Sequence, residues 1–177
     1  MYKRQVEYID KNSTAIDVKF KFDDSSNDKL INKFKLDKKK NISLVIWTTT
    51  PWTIPGNQAV CFSAEIDYQF IDSGSEYLLV AAELVEQCLD RWKDDSYEAT
   101  KIKFKGSELE GLKSLHPLYK REAPLFLGDH VTTETGTGFV HTAPAHGVDD
   151  FNVCSSEKVE VVNPISCLLY TSPSPRD

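Results

Sequence analysis

The chain of 177 residues is 40% hydrophobic, 27% charged and 11% aromatic, enough apolar material for one buried core. Lys and Arg number 21 against 27 Asp and Glu, and the net charge of −6 disfavours indiscriminate attraction to nucleic acid or anionic membrane. A polyanion partner would have to use a local patch, and no run approaches the ~18 apolar residues of a membrane span or the apolar stretch of a signal peptide. The expected location is the cytoplasm. Cys61, Cys88, Cys154 and Cys167 form no CxxC pair, so reduced thiols are expected rather than a disulfide or zinc framework.

In chain order, residues 1–5 and the closing run CLLYTSPSPRD look unlike the rest and resemble translated adapter scars; an ordinary Ser- and Pro-rich tail is the alternative. Two β-favouring runs follow at 6–9 and 16–22, the second placing Ile16, Val18, Phe20 and Phe22 on one face. Residues 23–40 are polar and end on Lys38, Lys39 and Lys40, which predicts an exposed loop or short helix. Strands are predicted at 43–47, 59–62 and 68–71, with a turn through Asp72, Ser73 and Gly74 leading into another at 77–80. Residues 81–92 are the one clear helix, with Leu84, Val85, Cys88, Leu89 and Trp92 on one side as an amphipathic lid.

A strand is predicted at 100–104, followed by a turn at 106–112 and an extended stretch with two prolines at 115–127. Further strands are predicted at 128–131 and 138–142, on either side of a tight Gly-Thr-Gly turn. There is no internal repeat and no βαβ alternation. The expected fold is a β-rich α/β domain, with a barrel-like core of short strands and a few peripheral helices.

Two segments are too unusual for scaffold. In WTTTPWTIPGN, Thr48, Thr49, Thr50 and Thr53 stand among Trp47, Trp52, Pro51 and Pro55, where the prolines fix φ and block a helix. Hydroxyls held in such a turn suit water and carbonyl oxygen, although threonine is also simply a good strand residue. The second segment, GDHVTTETGTGFVHTAPAHGVDDF, uses Gly136, Gly138 and Gly147 to bring His141, His146, Asp149 and Asp150 into one neighbourhood. Imidazoles and paired carboxylates can serve as acid and base or ligate a metal, but no HExxH helix or third histidine at suitable spacing supports a metal. A solvated acidic turn is the bland reading of Asp149 and Asp150. The glycines form neither a GxGxxG fingerprint nor a phosphate loop, so no nucleotide cofactor is expected.

Taken together, VEYIDKNSTAIDVKF, WTTTPWTIPGNQAV, LHPLYKREAPLFLGDHV and GTGFVHTAPAHGVDDF resemble, in order and spacing, the inserted editing domain of class I aminoacyl-tRNA synthetases. The resemblance spans about residues 6–164. Leucyl and valyl relatives usually show Thr-Thr-Arg-Pro followed by an acid and Thr; Thr50 and Trp52 at those places point to the bacterial isoleucyl branch.

The resemblance implies hydrolysis of valyl-tRNA for isoleucine, a proofreading reaction of translation. Asp150 matches the partner of the substrate α-ammonium. Thr49 and Thr50, with Thr48 and Thr53, match the turn that contacts substrate and positions water, Thr50 being placed to crowd out isoleucine. His141 and Asn57 match positions near the aminoacyl group and the terminal adenosine, with His141 either acid or base or a binding residue. Trp52, His146 and Asp149 are further substrate-side candidates, the last two chiefly as loop-shaping residues.

Neither the HIGH-type nor the KMSKS-type signature occurs, so ATP and magnesium are expected to belong to a synthetic domain outside these residues; no cofactor and no metal are expected within them. The implied partners are the aminoacylated 3′ end of tRNA and the rest of a synthetase chain, the domain itself being monomeric. Residues 6–164 are expected to form a C-terminally truncated editing domain between scars at 1–5 and 165–177. Two alternatives stay open: an editing domain of leucyl or valyl type, and a non-catalytic module in which residues 33–40, Trp47 and Trp52 grip a single strand.

Overall fold

The computed structural model describes residues 14–162, so the strand predicted at 6–9 and both terminal segments lie outside the described residues. Strand β1 (Ile16–Lys21) pairs antiparallel with β2 (Asn41–Thr48), setting Val18 opposite Ile46. Between them the polar stretch forms a helix, α1 (Asp24–Phe34), the second of the two forms expected for it. Asp23 caps it by accepting the Ser26 N–H at 3.1 Å. Leu30 and Ile31 bury into the core, and Phe34 stacks on Phe104 at 4.4 Å, so three apolar side chains anchor an otherwise charged helix.

Strand β3 (Ala59–Phe62) is buried throughout and belongs to a second sheet. The hairpin of β4 (Asp67–Asp72) and β5 (Glu76–Ala81) returns to the first sheet, where β5 runs parallel to β2. The predicted helix divides into a 3₁₀ turn, Ala82–Leu84, and α2 (Val85–Trp92); Leu84, Val85 and Cys88 are buried, so it packs against the core rather than over an opening. Strand β6 (Glu98–Lys105) completes the order β1-β2-β5-β4-β6. Its exposed Lys101, Lys103 and Lys105 charge that sheet edge, a pattern that discourages edge pairing.

The second sheet has the order β7-β8-β3-β9, from β7 (Lys113–Leu115), β8 (Glu122–Leu127) and β9 (Val140–Thr142). The sheets join at both sides. Phe22 bridges to Ser114 and Asp23 N–H donates to the Lys113 carbonyl at 3.1 Å. Opposite, Ala81 N–H donates to Thr137 O at 2.8 Å, and the buried Tyr68 hydroxyl donates to Gly138 O at 2.7 Å. The barrel-like core thus takes the form of two small sheets stitched at their margins around Phe20, Phe22, Phe62, Tyr68 and Phe70.

Further expectations fail. The Thr- and Pro-rich segment, in which the prolines are expected to block a helix, winds into a 3₁₀ turn at Pro51–Gly56, with Pro51 at its first position where no backbone N–H is needed. Residues 128–131 are a turn, not a strand, closed by Val131 N–H on Gly128 O at 3.1 Å; the polar Asp129 and His130 have no partner strand to join. The Gly-rich loop also ends in a third helix, α3 (Val148–Ser156). Its Val148 and Phe151 are exposed and only Cys154 is buried, so the sequence lacks the apolar stripe by which a helix is normally recognised.

Candidate active site

Between the end of β2, the 3₁₀ segment Pro51–Gly56, β9 and the start of α3 lies a cleft of about 460 Å³. Thr48, Thr49, Thr50, Trp52, Thr53, His141, His146 and Asp150 line it, joined by Trp47, Val140 and Ala143. Eight of the ten sequence candidates therefore meet at one surface, although the two source segments stand about ninety residues apart. Asn57 is instead fully buried beneath His141, and Asp149 points outward from the first turn of α3. Val140 and Ala143 carry no chemistry that a sequence could flag; they supply wall and one backbone N–H.

Three of the four threonines, Thr48, Thr50 and Thr53, are ordered by one another, and Thr49 is exposed beside them. Thr48 Oγ1 accepts the Thr50 N–H at 3.0 Å and lies 3.3 Å from Thr50 Oγ1. Thr53 Oγ1 has a single proton, which it donates to Thr50 O at 2.8 Å. The 2.8 Å contact between Thr53 Oγ1 and His141 Nε2 must then be donated by the ring. His141 is accordingly the Nε2–H tautomer, with its Nδ1 lone pair facing the Asn57 Nδ2 group at 3.4 Å. Burial lowers the His141 pKa and favours this neutral ring, outweighing the opposing field of Asp150.

Asp150 reaches back over the start of α3, and its Oδ2 accepts the Ala143 N–H at 2.8 Å. Its Oδ1 makes no hydrogen bond among the described residues and is available to the cleft. Gly147 makes this possible: a Cβ there would sit 3.1 Å from Asp150 Oδ2 and 3.2 Å from its Cγ. We expect Gly147→Ala to displace the carboxylate and lower activity by about tenfold, roughly 1.4 kcal/mol, with little change in thermal stability, as paired kinetics and melting would show.

Cys61 and Cys154 are fully buried, outside the cleft lining, and burial pushes both thiols up to about 11. Neither is a nucleophile at neutral pH. Among the described residues no group of three or more His, Cys, Asp and Glu is placed to hold a metal ion, and no helix is long and apolar enough to cross a membrane.

Residues 13–169 match the family described as leucyl-tRNA synthetase, editing domain. The chain belongs to this editing-domain family. Among its relatives, the isoleucine–tRNA ligase of Idiomarina loihiensis is 45% identical over 172 residues, covering 91% of this chain and 18% of that protein. The isoleucine–tRNA ligase of Legionella pneumophila strain Paris is 47% identical over 162 residues, covering 91% and 17%. The editing domain thus spans less than a fifth of the relatives it matches, and they carry the name of the branch to which Thr50 and Trp52 pointed.

Solved structures agree on the fold. GlLeuRS-CP1 superposes with a TM-score of 0.67 at 16% identity, covering 84% of this chain and 66% of that one. The editing domain of P. falciparum cytosolic leucyl-tRNA synthetase gives 0.64 at 13% identity, covering 81% and 66%.

Proposed function

We propose that this cleft hydrolyses the ester joining valine to the terminal adenosine of tRNA for isoleucine, as the proofreading site of an isoleucine–tRNA ligase. The observation that carries the reading is the placing of a carboxylate with one free oxygen in the same cleft as a row of interlocked threonine hydroxyls.

An aminoacyl ester carries a free ammonium beside its carbonyl. Asp150 Oδ1 supplies a charge-assisted acceptor for that ammonium and so fixes the ester's orientation. Thr49 and Thr50 then face the carbonyl, where their hydroxyls hold a water and donate to the developing oxyanion. Water oxygen adds to the ester carbon, the bond to the ribose oxygen breaks, one of the water's two protons ends on that oxygen, and the other leaves with the new valine carboxyl group and is lost to solvent. The ester is already activated, so no covalent nucleophile is required, and the reading assigns no resident cofactor to the domain.

His141 contributes as a fixed wall and as the donor that orients Thr53, since its Nε2 proton is committed to that hydroxyl. With Thr50 it narrows the cleft against the extra methylene of isoleucine. A second, smaller site answers a general limit, for which isoleucine and valine are the familiar case: a pocket rejects what is too large better than what is slightly too small. Trp52, 66% exposed at the rim, offers a stacking face for the terminal adenine.

The binding-module alternative is weaker. Its basic run is partly consumed internally, Lys33 pairing with Glu108 and Lys40 with Asp72. The partners under this reading are the aminoacylated 3′ end of tRNA and the remainder of the synthetase chain, with the domain acting as a monomer in the cytoplasm.

Titration with a non-hydrolysable amide analogue of valyl-adenosine, followed by NMR, tests the assignment. We expect shifts at Thr49, Thr50, His141 and Asp150 that weaken at least tenfold in affinity when the analogue lacks its amine. Shifts confined to another face, or no dependence on the amine, would contradict it.

A further inference from the structure

The 3₁₀ segment Pro51–Gly56, which presents Thr53 to His141, is gripped from behind by a short loop that does not reach the cleft. His116 is 5% exposed, and its Nδ1 accepts two backbone protons, from Leu118 and Tyr119, each at 3.1 Å. That leaves Nε2 as the donor, and it lies 2.8 Å from Ile54 O. Arg121, five residues on, donates from one terminal nitrogen to Pro55 O at 2.8 Å and also to Asn57 O.

The loop is itself closed. His116 N–H donates to Arg121 O and Arg121 N–H to Tyr119 O, both at 2.9 Å, and the guanidinium lies 5.2 Å from the centre of the Tyr119 ring. Two side chains on this clip therefore hold three carbonyls at the C-terminal end of the segment, the end where a helical turn leaves its carbonyls unpaired and favours a cation. The N-terminal end is tied separately, by Thr50 to Thr48.

We propose that His116 and Arg121 are positioning residues of the hydrolytic site, holding Ile54, Pro55 and Asn57 so that Thr50 and Thr53 keep their register with His141. The inference rests on the ester-hydrolysis reading for its kinetic consequence, but not for its structural one. If the segment slides, the Thr53 hydroxyl no longer meets Nε2 of His141, and the row of hydroxyls loses alignment with the carbonyl. Binding of the ammonium at Asp150 is untouched. The defect is then one of turnover rather than of affinity.

The test uses the whole 177-residue chain. Glutamine can place an amide N–H where His116 Nε2 lies, whereas asparagine can replace only the Nδ1 acceptor. Lysine at 121 keeps the charge but not the planar guanidinium. Each variant, shown by cooperative melting to be folded, is assayed for valine release from valyl-tRNA and examined by nitrogen-15 NMR of the His141 ring.

We expect His116→Asn and Arg121→Lys to lower kcat ten- to a hundredfold with KM changed less than threefold. His116→Gln should recover most of that loss. The His141 spectrum should depart from the Nε2–H tautomer in His116→Asn and in Arg121→Lys. Folded variants with an unaltered His141 spectrum and wild-type kcat would overturn the proposal, as would a loss confined to KM. If His116→Asn does not fold, Arg121→Lys decides by the same readouts. If the wild-type chain releases no valine, the ester reading fails while the ring spectrum still decides whether the clip positions the segment.

Discussion

Asp150→Ala is expected to lower valine release at least about a hundredfold, roughly 2.7 kcal/mol of lost transition-state stabilisation. Asp150 is the one carboxylate among the described residues that line the cleft, and a substrate ammonium deprived of it must find its partner in water. The loss should appear in kcat and KM together, because the same contact holds the ground state and sets the attack geometry. Asp150→Asn separates charge from shape: its amide oxygen can still accept from Ala143 N–H, so α3 keeps its start while the ion pair is gone. We expect Asn to lose nearly as much activity as Ala and to melt like the wild type. An Asn variant with near-normal turnover would show that orientation by hydrogen bonding, not charge, is what the site requires.

A large loss of stability is expected at Gly138. Its φ is +79°, which a residue with a Cβ adopts only at a cost of about 1 kcal/mol, and that Cβ would lie 2.4 Å from Ala81 Cβ. The contact is with a buried strand that cannot retreat, since Ala81 N–H is bound to Thr137 O and the Gly138 carbonyl receives the Tyr68 hydroxyl. Overpacking of that kind adds about 2 kcal/mol, so Gly138→Ala should lose about 3 kcal/mol and roughly 6–12 °C in Tm. Gly74→Ala is the control. It has a φ of +83° with open space around the added methyl, and should lose only about 1 kcal/mol. Equal losses at the two positions, measured by urea unfolding, would show that the seam between the sheets is looser than drawn.

Acid should weaken the fold through His116 as well. Burial lowers its pKa to about 4 from an ordinary 6.5, so the native state holds it neutral while the unfolded chain protonates it. The contribution is fully present above pH 6.5 and is lost as pH falls from there toward 4, in all about 2–3 kcal/mol. Wild type should lose about 2–3 kcal/mol relative to His116→Gln between pH 6.5 and pH 4, as unfolding free energies of the two across that range would show. Parallel curves would contradict it.

How much of this was legible in the sequence depends on how far each residue's chemistry stands out locally. The Thr- and Pro-rich segment and the Gly-rich segment announce themselves because neither composition suits a plain strand or helix, and the cleft forms where they meet. Alternation identified β1, whereas β2, β3 and β5 were legible as short apolar runs rich in β-favouring residues, because those strands are buried on both faces. Helix α3 escaped because its apolar residues Val148 and Phe151 face outward and its hold on the fold is Cys154. That helix is what separates Asp149 from Asp150, turning one carboxylate to solvent and the other to the cleft, a distinction invisible in the pair Asp-Asp. His116 and Arg121 went unread for a different reason. They act through backbone carbonyls of residues about sixty positions earlier, and carbonyls leave no mark in a sequence.

The central claim is that the cleft releases a small amino acid from tRNA and spares the one that fits the cognate enzyme. The most direct measurement is the deacylation of valyl-tRNA and isoleucyl-tRNA for isoleucine, side by side, by the folded chain. The account predicts valine release well above the buffer rate, with isoleucine released at least tenfold more slowly. Release of neither, or of both at the same rate, would contradict it.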